Sequence, residues 1–403
     1  AAHGLHQGRE RVNICIRFGQ LVESFSCCMA QILACLRGWN VPLAQAEVAA
    51  LLPNTDFTEL APRFMLTSDT IGAETLAETL SCAAGIQCFL RDVKYFNTNE
   101  DTSDKLYEKI TTMLSSAAVR GSVAVRTLRI SGRIDGVSTR TMAAEIGAIA
   151  VDQGYSVDLA QPDYEIGLIA DGESQTIACG WLVGDFDDSV GTAPRRATER
   201  PFFKPVSLDP RLARLSVNLA CGPLDDYAVL DPMTGTGGFA MEAVTMGRST
   251  VAVDMDEVMV AGAKQNIDWA LQNHDHHVQY QIIQGDANNL QQSVDEIWHG
   301  KISGIVLDPP YGRNSHGTLE HFQLITATIQ SAKSIVATHA KLVLIMPIKP
   351  AEHEIVLLHG IWQDFTTLMR NSGVEIIQYW SEHVHASLAR LIILAEFTNE
   401  VRH

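Results

Sequence analysis

The second half of the chain alternates short apolar runs, typical of buried strands, with segments of helical spacing. Because parallel strands need a crossover connection, usually a helix, this repetition predicts an open, doubly wound α/β sheet. A closing hairpin is predicted from two further apolar runs, which brings the sheet to seven strands. The predicted strands are 227–230, 250–253, 278–283, 302–307, 341–346, 374–380 and 388–397.

Before residue 209 the pattern is different, and the chain divides into five predicted segments. They are an extension at 1–25, an α+β domain at 26–98, a second α+β domain at 99–184, a linker at 185–208 and the sheet domain at 209–403. At roughly 100–200 residues per domain, a chain of 403 residues accommodates this division. One strand is predicted over 61–67 in the first α+β domain.

The charge of the chain restricts how it can bind nucleic acid. It has 30 Lys and Arg against 47 Asp and Glu, a formal net charge of −17. An acidic protein repels polyanions, so RNA binding requires local basic patches. Residues 120–140 and 195–214 are two basic windows. A solvated polar face is the plainer interpretation of either window alone, but the two together favour a basic groove.

Other features indicate a cytoplasmic protein without a structural metal. None of the eight cysteines forms a CxxC pair, and the apolar run at 27–36 is too short to span a bilayer. His274, His276 and His277 are close in sequence but have no remote partner at ligand spacing, so no metal site is predicted. We therefore expect neither a disulfide framework nor contact with a membrane.

A glycine-rich segment between the first predicted strand and helix is the first candidate site. Gly235 and Gly237 allow a ligand to approach the backbone closely. The string Gly235-x-Gly237-x-x-Ala240 also fits a dinucleotide fingerprint, so a nicotinamide-dependent dehydrogenase is one alternative. Asp231 favours a different ligand, because a carboxylate facing this loop would repel a pyrophosphate and attract an ammonium group.

S-adenosylmethionine carries an α-ammonium and a sulfonium but no phosphate, and it is the cofactor predicted here. Asp254 ends the second strand, where a carboxylate can accept hydrogen bonds from both ribose hydroxyls, and Asp286 after the third strand can bind the adenine amino group. Capping a helix is the alternative role for each aspartate. The predicted cofactor-binding residues are Asp231, Thr234, Gly235, Gly237, Asp254, Met255, Asp286 and Ala287.

The second candidate site is the segment Asp308-Pro309-Pro310-Tyr311, which follows the fourth strand. A nucleobase amine is a poor nucleophile because its lone pair is delocalised into the ring. Two acceptors aimed at its hydrogens, the carboxylate of Asp308 and the carbonyl of Pro309, favour rehybridisation toward attack on a methyl group. Pro309 and Pro310 fix the backbone and leave no competing donor, and Tyr311 offers a face for a flipped base. These four are the predicted catalytic residues.

The glycine loop, the acidic strand ends and Asp308-Pro309-Pro310-Tyr311 resemble class I S-adenosylmethionine-dependent methyltransferases that act on exocyclic amines. Together with the segments 200–220 and 308–313, they are similar to the archaeal tRNA guanine-10 N2-methyltransferases. The resemblance covers roughly residues 26–400 and is strongest from 200 to 315. His385, Ser387 and Arg390 also match a family pattern, whereas His383 and Ala386 stand where basic residues are expected.

This resemblance implies a ferredoxin-like domain at 26–98, an RNA-binding THUMP domain at 99–184, and a Rossmann-like catalytic domain. It implies methylation of the 2-amino group of guanosine 10 in tRNA, once or twice, and a small zinc-binding activator protein as a partner in some relatives. The same chemistry on another tRNA guanosine, on ribosomal RNA or on a DNA adenine is one alternative. A non-catalytic RNA-binding subunit is another.

Overall fold

The computed structural model describes residues 31–117, 120–186, 195–204, 208–272, 278–310, 318–351, 354–358 and 360–398. The chain divides into two units, one ending at Asp188 and the other starting at Ser189. The predicted extension 1–25, the histidines at 274–277 and Tyr311 lie outside the described residues.

The first unit contains one eight-stranded sheet with four described helices. Its order is β2-β3-β1-β4-β8-β7-β5-β6, and β4 pairs antiparallel with β8. Strands from both predicted α+β segments therefore share a sheet. The strands are β1 Ile32–Leu36, β2 Thr58–Ala61, β3 Phe64–Thr67, β4 Ile86–Asn97, β5 Ser122–Ile130, β6 Ser156–Val157, β7 Tyr164–Asp171 and β8 Thr176–Gly184. The helices are α1 Val41–Leu51, α2 Ala73–Cys82, α3 Ser103–Ser116 and α4 Thr139–Asp152.

The prediction of one strand over 61–67 was wrong. The structure has an antiparallel hairpin, in which Ala61 of β2 pairs with Phe64 of β3 and the chain reverses at Pro62 and Arg63. Proline fixes φ and favours a turn at this position. The Arg63 side chain holds the turn against the neighbouring strand, because its Nε donates to the Leu36 carbonyl at 2.8 Å. Apolar periodicity alone does not reveal a change of strand direction.

The second unit is built on another eight-stranded sheet. Seven strands follow the order β11-β10-β9-β12-β13-β16-β15, and the two-residue strand β14 pairs with β13. The first five of the seven run parallel, and the β15–β16 hairpin pairs antiparallel to β13. The strands are β9 Ala228–Asp231, β10 Thr250–Asp254, β11 Tyr280–Gln284, β12 Ile302–Leu307, β13 Val336–Lys349, β14 Val356–Leu357, β15 Val374–His385 and β16 Leu388–Phe397.

Six described helices belong to this unit, and the sequence pattern does not predict three of them, α5, α8 and α10. They are α5 Pro210–Cys221, α6 Gly238–Thr245, α7 Glu257–Leu271, α8 Leu290–Ser293, α9 Thr318–Lys333 and α10 Trp362–Asn371. The start of α5 follows known preferences, since Asp209 caps it through the Arg211 N–H and Pro210 occupies its first turn. No helix in the described ranges is long and apolar enough to cross a bilayer.

The strand order positions the candidate site. From β9 the chain crosses to β10 on one side, whereas β12 pairs with β9 on the other side, so the winding direction reverses between β9 and β12. In open α/β sheets, ligands bind in the crevice at the carboxyl ends of the strands where this reversal occurs. Asp231 is the last residue of β9, and Asp308 directly follows β12.

Candidate cofactor and catalytic site

The glycine loop between β9 and α6 combines a tight turn with open space. Gly235 and Gly237 have positive φ, at 52° and 80°, and the Gly237 N–H donates to the Thr234 carbonyl at 2.8 Å. A Cβ at Gly237 would lie 3.0 Å from the Cβ of Ala263, whereas a Cβ at Gly235 would meet nothing within 4 Å. Gly237 therefore allows α7 to pack closely, and Gly235 borders space that a ligand can fill.

Asp231 is fully buried at the end of β9. Its Oδ2 accepts a hydrogen bond from the Thr234 hydroxyl at 2.7 Å, but its Oδ1 is buried without a hydrogen-bond partner. Burial, together with the charges of Asp254 and Asp308, raises the pKa of this carboxyl to about 7. A buried, unpartnered carboxylate oxygen is costly, so this position suits a ligand that brings a positive charge and N–H donors.

Asp254 and Met255 lie at the end of β10, beside the glycine loop. The Asp254 Oδ2 accepts from the Gly235 N–H at 2.8 Å, and Oδ1 accepts from the Asp256 N–H at 2.9 Å. The carboxylate therefore fixes the loop and retains lone pairs for further donors such as ribose hydroxyls. The Met255 side chain is 73% exposed, which leaves an apolar surface next to that carboxylate.

Asp286 lies just after β11 and caps a turn, which is the alternative to cofactor binding that the sequence allowed for each aspartate. It is exposed and accepts the Asn288 N–H at 2.9 Å, which caps a short 3-10 turn over Ala287–Asn289. Ala287 beside it is buried. Because β9, β10 and β11 are adjacent parallel strands, Asp231, Asp254 and Asp286 all lie along one edge of the sheet.

The predicted catalytic segment begins directly after β12. Asp308 is half-buried, and its Oδ1 is fully buried without a hydrogen-bond partner. Burial raises the pKa of Asp308 to about 7, although the positive charge of Arg390 lowers it in part. Pro309 is buried and Pro310 is exposed. A second unpartnered carboxylate oxygen thus lies at the carboxyl ends of the central strands.

Arg390 on β16 is the residue of the final hairpin whose charge acts on Asp308. Its Nη1 donates to Glu382 Oε2 of β15 at 3.4 Å, and the two residues are paired across the hairpin. His385 and Ser387, the other two residues of the family pattern, contact each other at the tip, where the Ser387 N–H donates to His385 Nδ1 at 3.3 Å.

Three of the six cations in the second basic window lie in the interior, so the expectation of a basic groove fails for them: Arg195 and Arg214 pair with a buried glutamate, and Arg200 is buried without a described ion pair. Glu242 of α6 is fully buried and is held by Arg195 Nε at 2.8 Å and Arg214 Nε at 2.9 Å. Arg200 is also buried, and its Nε donates to the Arg195 carbonyl at 3.0 Å. We call these four residues the arginine cluster. Sequence reasoning found the charges but had no signal for their burial.

The segment 200–204, inside the predicted linker, is attached to the second unit. Asn266 of α7 donates from Nδ2 to the carbonyls of Phe202 and Thr236, each at 2.8 Å, and its Oδ1 accepts the Phe202 N–H. The Phe202 ring occupies the space that a Cβ on Gly262 would need. Asn266 therefore ties this segment to the glycine loop, and Phe202 packs on α7.

These residues fit the predicted cofactor. Asp231 Oδ1 lacks a donor, Gly235 borders open space, and Asp254 lies beside both. In the described part of the chain, no three His, Cys, Asp or Glu residues are placed to hold a metal ion.

Comparison with known proteins agrees with this geometry. Residues 197–361 match the family model described as "RMKL-like, methyltransferase domain". The fold and the site therefore define the second unit as a methyltransferase domain.

Two curated relatives identify the family. The tRNA (guanine(10)-N2)-dimethyltransferase of Methanothermobacter thermautotrophicus is 32% identical over 283 residues, which is 70% of this chain and 75% of that protein. The enzyme of the same name from Pyrococcus abyssi is 29% identical over 62% of this chain and 67% of its own length. TrmN from Thermus thermophilus, a solved structure, has a TM-score of 0.45 and 16% identity over 91% of this chain and 99% of its own. The chain belongs to the tRNA (guanine(10)-N2)-dimethyltransferase family.

Proposed function

We propose that this protein transfers methyl groups from S-adenosylmethionine to the exocyclic 2-amino group of guanosine 10 in tRNA, once or twice. The observation that carries the proposal is the carboxylate of Asp308, which follows the central strand β12 with one buried, unpartnered oxygen. Such an oxygen suits an N–H donor supplied by a substrate. Membership of the family, whose curated members carry this name, supports the choice of guanosine and tRNA.

The cofactor site is made of the strand ends and the glycine loop. Asp231 binds the α-ammonium group, Asp254 binds the ribose hydroxyls, and Asp286 accepts from the adenine amino group. Thr234, Gly235 and Gly237 shape the loop, while Met255 and Ala287 supply apolar contact. When bound, S-adenosylmethionine supplies a methyl group on a positively charged sulfur.

Asp308 acts on the amine in the carboxylate form. Its Oδ1 accepts one N–H of the 2-amino group, and the Pro309 carbonyl accepts the other. The lone pair is then withdrawn from the ring and directed at the methyl carbon, which is catalysis by orientation and preorganised charge. The methylated nitrogen must lose a proton, and a carboxylate whose pKa is about 7 can accept it. Pro310 stiffens this segment, and we assign Tyr311, outside the described residues, to stacking on the base.

A dehydrogenase and a non-catalytic subunit fit the site less well. A pyrophosphate would meet the buried carboxyl of Asp231, which has no cation among its described contacts. A protein that only binds RNA has no use for two carboxyl groups whose pKa values burial raises to about 7, because such groups destabilise the fold at neutral pH.

The first unit is the part of the chain that we assign to tRNA binding, through a ferredoxin-like domain at 26–98 and a THUMP domain at 99–184. Three arginines of the first basic window support this assignment. All three are exposed: Arg129 near the end of β5, Arg133 between β5 and α4, and Arg140 in α4. Arg126 is instead paired with Glu165 at 2.7 Å. Phosphate binding by the exposed arginines predicts tRNA affinity that falls steeply with salt.

Methyl-labelled S-adenosylmethionine and unmodified tRNA, followed by nucleoside mapping, test the function. We expect label in the N2-methyl and N2,N2-dimethyl forms of guanosine 10, and no label in a tRNA that carries adenosine there. Label on a different nucleotide would contradict the assignment of position 10. The absence of any labelled nucleoside would contradict the assignment of methyltransferase activity. The activator protein and a cytoplasmic location stay predictions from the resemblance, and stimulation of this assay by a zinc-binding partner would test the first.

A further inference from the structure

Arg200 is a buried cation whose outer nitrogens have nothing to bind. Its side chain is 5% exposed, and both Nη1 and Nη2 are buried without a hydrogen-bond partner. Its Nε is its one described donor, directed at the Arg195 carbonyl. Guanidinium nitrogens left unpartnered in the interior are strongly unfavourable, so this geometry indicates a missing acceptor.

The carboxylates near Arg200 are already engaged. Glu242 is held by Arg195 and Arg214, and Asp209 accepts from Arg211 Nε at 3.1 Å. Burial lowers the pKa of Arg200, which the charge of Glu242 only partly offsets. The arginine cluster thus sets three cations against one carboxylate. An anion from outside the chain would correct this excess of positive charge.

The position of Arg200 places that anion at the glycine loop. A Cβ on Gly238, the first residue of α6, would lie 3.8 Å from Arg200 Nη1. The first turn of a helix offers free N–H groups and the positive end of its dipole, both of which favour an anion. Two independent features, the helix start and the two open guanidinium nitrogens, therefore meet next to the loop that follows Asp231.

We propose that Arg200, together with the start of α6, binds the α-carboxylate of S-adenosylmethionine, while Asp231 binds its α-ammonium group. The inference rests on the proposed function, since it names how the same cofactor is held. Arg200 presents two N–H donors in a plane, which matches the two oxygens of a carboxylate. The site then recognises both charges of the amino acid end and excludes cofactor fragments that lack one of them.

Titration calorimetry with two ligands tests this. The first is S-adenosylmethionine, and the second is its decarboxylated form, which keeps the adenosine, the sulfonium and the amine. The wild-type protein is expected to bind the first about 10–100-fold more tightly, since a hydrogen bond to a buried charge has this effect. In Arg200→Met, the ratio of the two affinities should fall close to one. Arg200→Lys, which keeps the charge but loses the two parallel N–H donors of the guanidinium group, should give an intermediate ratio.

Arg196→Met is the matched control, because Arg196 is exposed and lies four residues away. It should keep the wild-type ratio. If Arg200→Met unfolds, as its melting curve would show, the ratio in Arg200→Lys decides. A wild-type ratio in the folded Arg200 variants would overturn the inference and leave the proposed function standing. If the wild-type protein bound neither ligand, the proposed function would fail together with the inference.

Discussion

Central and outer strands of the second sheet end in aspartates with different surroundings. Asp231 and Asp308 lie at the carboxyl ends of β9 and β12, and each has a buried oxygen without a donor and a pKa raised by burial to about 7. Asp254 and Asp286 lie at the carboxyl ends of β10 and β11, and both accept hydrogen bonds from backbone N–H groups. The first two carboxyls are thus left open for ligands, whereas the latter two also serve the fold.

Strand order explains the difference. β9 and β12 lie in the middle of the sheet, whereas β11 is an edge strand and β10 is the strand next to that edge. Water reaches the ends of the outer strands more easily, and their loops turn directly into capped helices or turns. Carboxyl groups at the central strand ends are desolvated, which makes them strong acceptors for a ligand but costly to ionise. We expect Asp308 of the central pair to act in the chemistry and Asp231 to bind the charged end of the cofactor, while the outer pair contributes to binding and stability together.

Substitution of Asp308 gives the largest effect we expect. Asp308→Asn keeps the shape but replaces an anionic acceptor with a neutral amide, so the rate of methyl transfer to tRNA should fall by at least about a hundredfold, the effect of removing one preorganised polar group. Single-turnover transfer of labelled methyl groups measures it. Affinity for tRNA and for S-adenosylmethionine should stay within about twofold. A variant that retained most of its rate would remove Asp308 from the chemistry.

Asp231→Asn should separate binding from stability. Loss of the charge opposite the α-ammonium should weaken cofactor binding by about 10–100-fold. The pKa of Asp231 in the folded protein, about 7, lies above its ordinary value, so the native state binds the extra proton between pH 4 and 7. Its contribution to the free energy of unfolding is therefore present at low pH and lost as pH rises through 7.

The neutral variant does not pay this penalty for ionisation. At pH 8 the Asp231→Asn protein should melt several degrees higher than wild type, and at pH 5 the difference should shrink. Melting curves at the two pH values check this. A variant that is less stable than wild type at pH 8 would show that Asp231 is a structural acceptor like Asp254, which would break the distinction between central and outer strands.

The pH dependence of the rate follows from Asp308. It acts as a carboxylate, so activity should be present above its pKa of about 7 and fall about tenfold for each pH unit below it. Saturating cofactor keeps Asp231 ionised, so the acid limb then reports Asp308. In Arg390→Gln, the charge that lowers the pKa of Asp308 is gone, so the fall in rate on the acid side of the pH profile should begin at a higher pH. A limb that does not move would show that Arg390 acts only on the hairpin.

The sequence specified much of this site because the relevant signals are local. Glycines at a strand–helix junction and aspartates at strand ends have fixed positions relative to their elements, so strand order alone brings Asp231 and Asp308 together. The hairpin at Pro62 was missed because alternation continues through a tight turn. The arginine cluster was missed because a run of basic residues looks the same in sequence whether it is solvated or paired with a buried glutamate such as Glu242.

Asp286 provides the smallest expected effect and the sharpest test of the outer pair. Its Oδ1 caps the 3-10 turn through Asn288, so Asp286→Ala should lower the free energy of unfolding by about 1 kcal/mol. The other oxygen of Asp286 is available to accept a hydrogen bond from the adenine amino group. Because this donor is neutral, removing its acceptor should weaken cofactor binding by about tenfold or less. Denaturant unfolding and calorimetry measure the two effects separately.

A cofactor analogue provides the matched control for Asp286. In S-inosylmethionine, hypoxanthine replaces adenine, so the adenine amino group is absent. If Asp286 binds that group, the wild-type protein should discriminate against the analogue more strongly than Asp286→Ala does. If both proteins discriminate equally while the stability of Asp286→Ala still falls, Asp286 only caps the turn. Backbone groups and Met255 would then recognise the base. Either result shows whether a carboxylate at an outer strand end can serve the fold and the ligand at the same time.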